Sequence, residues 1–239
     1  MSFPFDEVTL RGKVATAVRF FWKVRRQQGL RQRQRGPADA GTRGQVTGGK
    51  QMDGFAKIIR EVALAAGYEK SEIFFNTAVP IPGYYRPQKN WDVVILRDGR
   101  LIALIELKSQ CGSFSNNFNN RAEEVIGVSR DFWLAYRERA FGVSVSPWIG
   151  YFLFVKRCEE SLKPVGLTRS PLAPLTVFAD TGYLRRYELL CERLVLERDF
   201  TSTALVVSDD AGREVGDGGP NVTAMGFLKS LYAHLVASA

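Results

Sequence analysis

The chain has 239 residues, 45% of them hydrophobic and 12% aromatic, so a sizeable buried core is within reach. Lys and Arg number 33 against 25 Asp and Glu, a net charge of +8, which favours a polyanionic partner, nucleic acid ahead of an anionic membrane. No apolar run approaches the roughly 20 residues that cross a bilayer, and Asp6 and Glu7 stand where an export signal would be basic. The three scattered cysteines, Cys111, Cys158 and Cys191, with the single His234, exclude a zinc finger and argue against a disulfide framework; a soluble, unexported protein is expected.

The spacing of Val14, Ala17, Val18, Phe21, Trp22 and Val24 predicts an amphipathic helix from Val8 to about Gln28, made basic by Arg11, Lys13, Arg19, Lys23, Arg25 and Arg26. The following GLRQRQRGPADAGTRGQVTGGKQM has no apolar period and reads as a loop or arm, whose Arg31, Arg33, Arg35, Arg43 and Lys50 suit a grip on DNA phosphates. Gly44, Gly49 and Lys50 match the spacing of a phosphate-binding P-loop. Gln51 stands where Ser or Thr would hold magnesium and no strand precedes, so nucleotide binding is not expected.

Asp53 to Ala66 is a second helix, stopped at Gly67. AVPIPGYYRPQKN, with three prolines, reads as an extended connection, and its Arg86 and Lys89 suit phosphate contacts. Two strands, roughly Trp91 to Leu96 and Leu101 to Lys108, flank Asp98-Gly99, a strong hairpin signal. CGSFSNNFNN is expected as a polar loop, and RAEEVIGVSRDFWLAYRERA as a helix opened by a capping box of Asn120 and Glu123. A buried strand WIGYFLFVKR, a helix from about Gly182 to Arg198, a strand TALVVSD and a helix near Ala224 to Val236 follow. Strands alternating with helices around a hairpin predict an α/β fold with a mixed central sheet flanked by helices. With no internal boundary, residues 1–239 are expected to form one domain.

The second strand of the hairpin carries IELKSQ. Side chains alternate across a strand, so Glu106, Lys108 and Gln110 share one face. An unpartnered charge in such an apolar strand costs roughly 3 to 5 kcal/mol, so something must compensate it. A two-residue turn closed by Arg97 and Arg100 would set Asp92 against Ile105, on the other face from Glu106. A three-residue loop of Arg97, Asp98 and Gly99, or an equivalent bulge, sets Asp92 against Leu104 and makes it a same-face diagonal neighbour of Glu106, within about 7 to 8 Å. The second arrangement is expected, because two carboxylates so placed are oxygen ligands for Mg2+ that leave positions for water and a phosphate oxygen.

Asp92 and Glu106 are therefore read as metal ligands, and Lys108 as a fixed charge that orients the nucleophile or stabilises the transition state; a sheet face of mutually salt-bridged charges is the other reading of this pattern. Gln110, on the same face, suits a water or a backbone phosphate, with a plain polar strand end as the equal alternative. Asn116, Asn117, Asn119, Asn120 and Arg121 follow directly; these residue types pair with adenine and guanine edges and are read as DNA contacts.

Asp92, Glu106 and Lys108 look like the PD-(D/E)xK nuclease signature. IELKSQ and NNFNNRAEEVIG, with GYYRPQKNWD upstream and MDGF before the second helix, resemble the XhoI-type family of type II restriction endonucleases over at least Met52 to Gly127. The triad is a weak motif, whereas the block from KSQ to NNFNNR is far more specific. The resemblance implies a restriction-endonuclease-like core and a homodimeric, Mg2+-dependent enzyme cutting both strands of a short palindrome, CTCGAG for the family's namesake. It also implies a prokaryotic cytoplasmic setting with a cognate DNA methyltransferase. Trp91 stands where the signature has proline, a position without chemistry of its own. Many members of the superfamily use an acid from the helix before the hairpin, for which Glu61 is the candidate; a solvated pair with Lys57 is the other reading. A repair nuclease or junction resolvase on the same core, and a DNA-binding protein with an inactive core, remain as alternatives.

Overall fold

The structure is a computed structural model that describes residues 2–35, 50–76, 78–142, 145–168 and 170–239. Helix α1 (Glu7–Arg35) begins where the Asp6 carboxylate accepts the Thr9 N–H at 2.7 Å, and it runs past the end of its apolar spacing through good helix formers. After it come α2 (Asp53–Ala65), β1 (Ile73–Phe75), β2 (Pro80–Pro82), β3 (Gln88–Asn90), β4 (Val93–Arg97), β5 (Arg100–Gln110), α3 (Phe114–Arg137) and β6 (Trp148–Lys156). The short α4 (Glu159–Leu162), α5 (Tyr183–Leu196), β7 (Ser202–Ser208), β8 (Gly216–Asp217) and α6 (Ala224–Ala237) complete the order.

Six strands form one sheet in the order β1-β4-β5-β6-β7-β8. β5, β6 and β7 run parallel and the other neighbours antiparallel, giving the mixed α/β sheet flanked by helices that the alternation of elements predicts. Strand periodicity divides the core. Ala103, Ile105, Leu107, Trp148, Phe152 and Phe154 pack with α1, α2 and α6, whereas Leu104, Ile149, Tyr151, Leu153 and Val155 pack with α3 and α5. The proline-punctuated segment expected as a plain connection folds back on itself, as β2 paired with β3 in a separate two-stranded sheet.

Of the two expected devices, a three-residue loop or an equivalent bulge, the hairpin uses the bulge, behind a two-residue turn. Only Asp98 and Gly99 form it, at φ 50° and 73°, and Arg97 closes against Arg100; positive φ at both central residues suits the right-handed twist of the flanking strands. A bulge then corrects the register. Leu96 pairs with Leu101 but Ile95 pairs with Ala103, which leaves Ile102 as the extra residue. Ile102 and Ala103, adjacent in sequence, accordingly bury on the same side of the sheet. Beyond the bulge Val94 meets Leu104 and Val93 meets Ile105. One residue further, the same register sets Asp92 across from Glu106, opposite rather than diagonal and on the same face.

Helix α3 starts earlier than its charge pattern suggests. Ser113 sits before it in the left-handed conformation (φ 51°) and Phe114 begins it, fully buried 6.0 Å from the Tyr183 ring. Burial of Phe114 outweighs the poor helix propensity of the asparagines. Asn116, Asn117, Asn119, Asn120 and Arg121 therefore lie on the first turns of α3 instead of in a loop, and Asn120 with Glu123 does not cap it.

Candidate active site

Strand β5 carries Glu106 and Lys108 on the face that packs against α3, with Glu106 beside Tyr151 of β6. Lys108 Nζ lies 2.5 Å from Glu106 Oε1 and 3.3 Å from Glu124 Oε1 of α3, while Lys89 Nζ lies 2.6 Å from Glu106 Oε2. Asp92 Oδ2 accepts the Leu107 N–H at 2.7 Å, and its main-chain carbonyl accepts the Asn76 N–H at 3.2 Å.

Burial, followed by the neighbouring Glu106 charge, pushes the Asp92 carboxyl up to about 6. Burial also acts to raise Glu106, yet the ammonium groups of Lys108 and Lys89 outweigh it and hold this carboxyl below its ordinary value. For Lys108, burial opposes the charged form and the Glu106 carboxylate more than offsets it, so its ammonium is held above the usual range. The site is thus an ionised glutamate between two lysines, facing an aspartate for which burial and the Glu106 charge outweigh the same two ammonium groups.

The other predicted residues lie in several different settings. Gln110 is buried and donates its amide to the Gly112 carbonyl at 2.5 Å, and Arg121 pairs with Glu124 at 2.7 Å. Asn117 donates to the Ser113 carbonyl at 2.8 Å within the first turn of α3, while Asn116, Asn119 and Asn120 are exposed. Lys50 is exposed in a short helical turn before α2; Arg31, Arg33 and Arg35 belong to the last turns of α1 with their side chains outside the described residues, as Arg43 is altogether. Glu61 is not brought to the cluster. It pairs with Lys13 at 2.6 Å, on a helix that packs on the opposite face of the sheet from Glu106. Glu124 is the charged neighbour of Lys108 that sequence reasoning missed; its one local signal, three residues from Arg121, has meaning only once α3 is known to start at Phe114.

Arg86 reaches inward. Its Nε lies 2.8 Å from Asp131 Oδ2, and Asp131 Oδ1 accepts the Tyr84 and Tyr85 N–H groups at 2.9 and 2.8 Å, so one carboxylate, 5% exposed, ties this loop to α3. Burial opposes ionisation of Asp131, but Arg86 and the two N–H donors outweigh it and lower its pKa. An acid whose folded pKa is lowered adds stability above its unfolded value, and that stability is lost as pH falls through the folded one. Asp131→Asn is expected to cost about 1 to 2 kcal/mol at pH 7, and the gap to the parent should narrow below about pH 4. Urea unfolding of both proteins at the two ends of that range checks this; a gap that widens in acid would contradict it.

A mixed sheet between helical layers, with a carboxylate on each arm of an antiparallel hairpin and a lysine two residues past the second, defines a restriction-endonuclease-like core. Residues 31–219 match the family described as Restriction endonuclease XhoI. The chain belongs to that family and is a type II site-specific deoxyribonuclease, with DNA as its substrate. It is 40% identical over 210 residues to the type II restriction enzyme BstVI of Geobacillus stearothermophilus, covering 84% of this chain and 94% of that one. It is 42% identical over 151 residues to the type II restriction enzyme AbrI of Azospirillum brasilense, covering 62% and 68% of the two chains. Against the type II restriction enzyme XhoI of Xanthomonas vasicola the identity is 39% over 163 residues, covering 67% and 66%. No solved structure gives a significant match. Among the described residues no helix is long and apolar enough to cross a membrane.

Proposed function

We propose that this enzyme makes Mg2+-dependent double-strand cuts at a short palindrome, with CTCGAG, the sequence implied by its resemblance to XhoI-type enzymes, as the target. It acts as a homodimer, since a palindrome presents the same half-site twice, in a bacterial cytoplasm beside a cognate methyltransferase. Residues 1–239 serve as one catalytic domain, with the basic N-terminal helix and arm, Arg31, Arg33, Arg35, Arg43 and Lys50 among them, contacting phosphates.

The observation that carries this reading is the facing of Asp92 and Glu106 on one side of the sheet, with Lys108 beside them. Their donor set fits a hard divalent cation. The acidic donors are all carboxylate oxygens, and among the described residues the Asp92 side chain accepts a single hydrogen bond, from the Leu107 N–H, and the buried Tyr151 hydroxyl nearby has no partner. Bound there, the cation supplies Lewis-acid activation of water and neutralises charge at the phosphorus. Asp92 and Glu106 would hold it, and Glu106 also fixes Lys108. Lys108 presents its ammonium to the attacked phosphate, orienting the incoming water and stabilising the charge that develops on the non-bridging oxygens. Glu124 keeps Lys108 from turning away, and Arg121, which pairs with Glu124 and donates to the Ser109 carbonyl at 3.4 Å, would exchange Glu124 for DNA.

Digestion of a plasmid of known sequence with Mg2+, beside a chelator control, followed by sequencing of the ends, tests the proposal. Discrete fragments sharing one palindrome are expected, and none with chelator. A smear, or cutting only of branched or damaged DNA, would move the reading to a repair nuclease or resolvase.

A further inference from the structure

Each carboxylate oxygen of Glu106 is held by a different lysine, Oε1 by Lys108 at 2.5 Å and Oε2 by Lys89 at 2.6 Å. The two arrive by different routes. Lys108 is two residues along the same strand, and its place follows from the strand itself. Lys89 reaches in from β3, in the small two-stranded sheet, and its Nζ also donates to the Asn90 carbonyl at 3.0 Å and lies 4.5 Å from the centre of the Trp91 ring. Its side chain is only 13% exposed, against 6% for Glu106. Lysine is seldom so covered unless it answers a buried charge.

Counting charges around Glu106 gives Lys89 a specific meaning. Asp92, Glu106 and Glu124 supply three negative charges, and Lys89, Lys108 and Arg121 three positive ones. A divalent cation between the carboxylates adds two more positive charges with no anion to match until DNA arrives. Within a few ångströms, in a low-dielectric site, such like charges repel by several kcal/mol. Nor can the ammonium of Lys89 and a cation both contact Glu106 Oε2 at full strength. We propose that Lys89 is the internal counter-ion of the metal position: it holds Oε2 of Glu106 in the metal-free enzyme, gives it up when a divalent cation binds, and then serves the DNA phosphate. This rests on the nuclease reading above. The three-pair ladder of β2 and β3 lets Lys89 shift without disturbing the main sheet. Metal and DNA therefore bind with positive coupling, because the phosphate compensates the ammonium that the metal displaces.

Mn2+ is the probe, titrated by calorimetry into the full-length protein without DNA, for the parent, Lys89→Met and Glu106→Gln. Lys89→Met is expected to bind Mn2+ at least about tenfold more tightly than the parent, and equal or weaker binding overturns the inference. Glu106→Gln reports on the site itself; if it binds Mn2+ like the parent, the cation is not held by Glu106, and the site assignment fails together with the inference. A second measurement uses the unmodified protein, so it does not depend on either variant folding. Acetylation of Lys89 by an amine reagent, read by mass spectrometry, should rise several-fold when Mn2+ is added, and unchanged labelling refutes the displacement.

Discussion

Lys108→Met is expected to slow single-turnover cleavage of the target duplex by roughly a hundred- to a thousandfold while leaving DNA affinity nearly unchanged. Methionine keeps the length and packing of the lysine stem but removes the ammonium that contacts Glu106 Oε1 and Glu124. Lys89 still neutralises Glu106 in the variant, so the fold retains its buried ion pair. Glu106→Gln should do more, at least about a thousandfold, because loss of a proposed metal ligand would remove several kcal/mol of transition-state stabilisation. It also leaves Lys89 without its anion and Lys108 with Glu124 alone, which costs stability, so the rate should be read only on protein shown to be folded. The lysine variant is the cleaner test. Cleavage within about threefold of the parent, at saturating DNA and Mg2+, would remove Lys108 from the chemistry.

The side of the sheet that bears the carboxylates was legible in the sequence, and a bulge was one of the two expected means of placing them there, but which residue forms it was not. Alternation fixed Glu106 and Lys108 on one face, and the demand for a shared face with Asp92 excluded a plain two-residue turn. The chain nevertheless uses that turn and corrects it with Ile102, a residue that looks like any other in the strand. A bulge of this kind depends on packing of both neighbours against α1, α2 and α6 and leaves no local mark. Lys89 and Glu124 were invisible as neighbours of the triad for a related reason. One depends on how β3 docks, the other on a helix start decided by burial of Phe114 against Tyr183. Glu61 shows the converse: its helix was read correctly, but which face of the sheet that helix covers is a matter of topology. The main core strands and the helices that flank them were accessible because their apolar periods span long segments. The three-residue strands β1, β2 and β3 are too short to show one.

Gly150→Ala is expected to destabilise the fold while leaving the site intact. Gly150 lies mid-strand in β6, paired to Ile105 on one side and Ser202 on the other. A methyl group there would overlap the Trp148 ring and stand 2.7 Å from Phe227 Cζ. Neither ring can retreat easily. Trp148 is fully buried, donates Nε1–H to Ser230 Oγ at 3.0 Å, and meets Phe227 of α6 edge-to-face at 5.0 Å. Glycine at this position is where α6 gains its close approach to the sheet. Overpacking of this type costs about 1 to 3 kcal/mol, and the upper part of that span is expected with two rings to displace. For a chain of this size that lowers the melting temperature by roughly 4 to 10 °C. Tyr151, the next residue, points to the opposite face, where it neighbours Glu106, so cleavage per folded molecule should stay within about twofold when assayed well below the melting temperature. A folded Gly150→Ala protein that has lost cleavage would instead mean that the α6 layer controls the carboxylates through β6, and that the two faces of the sheet are not independent.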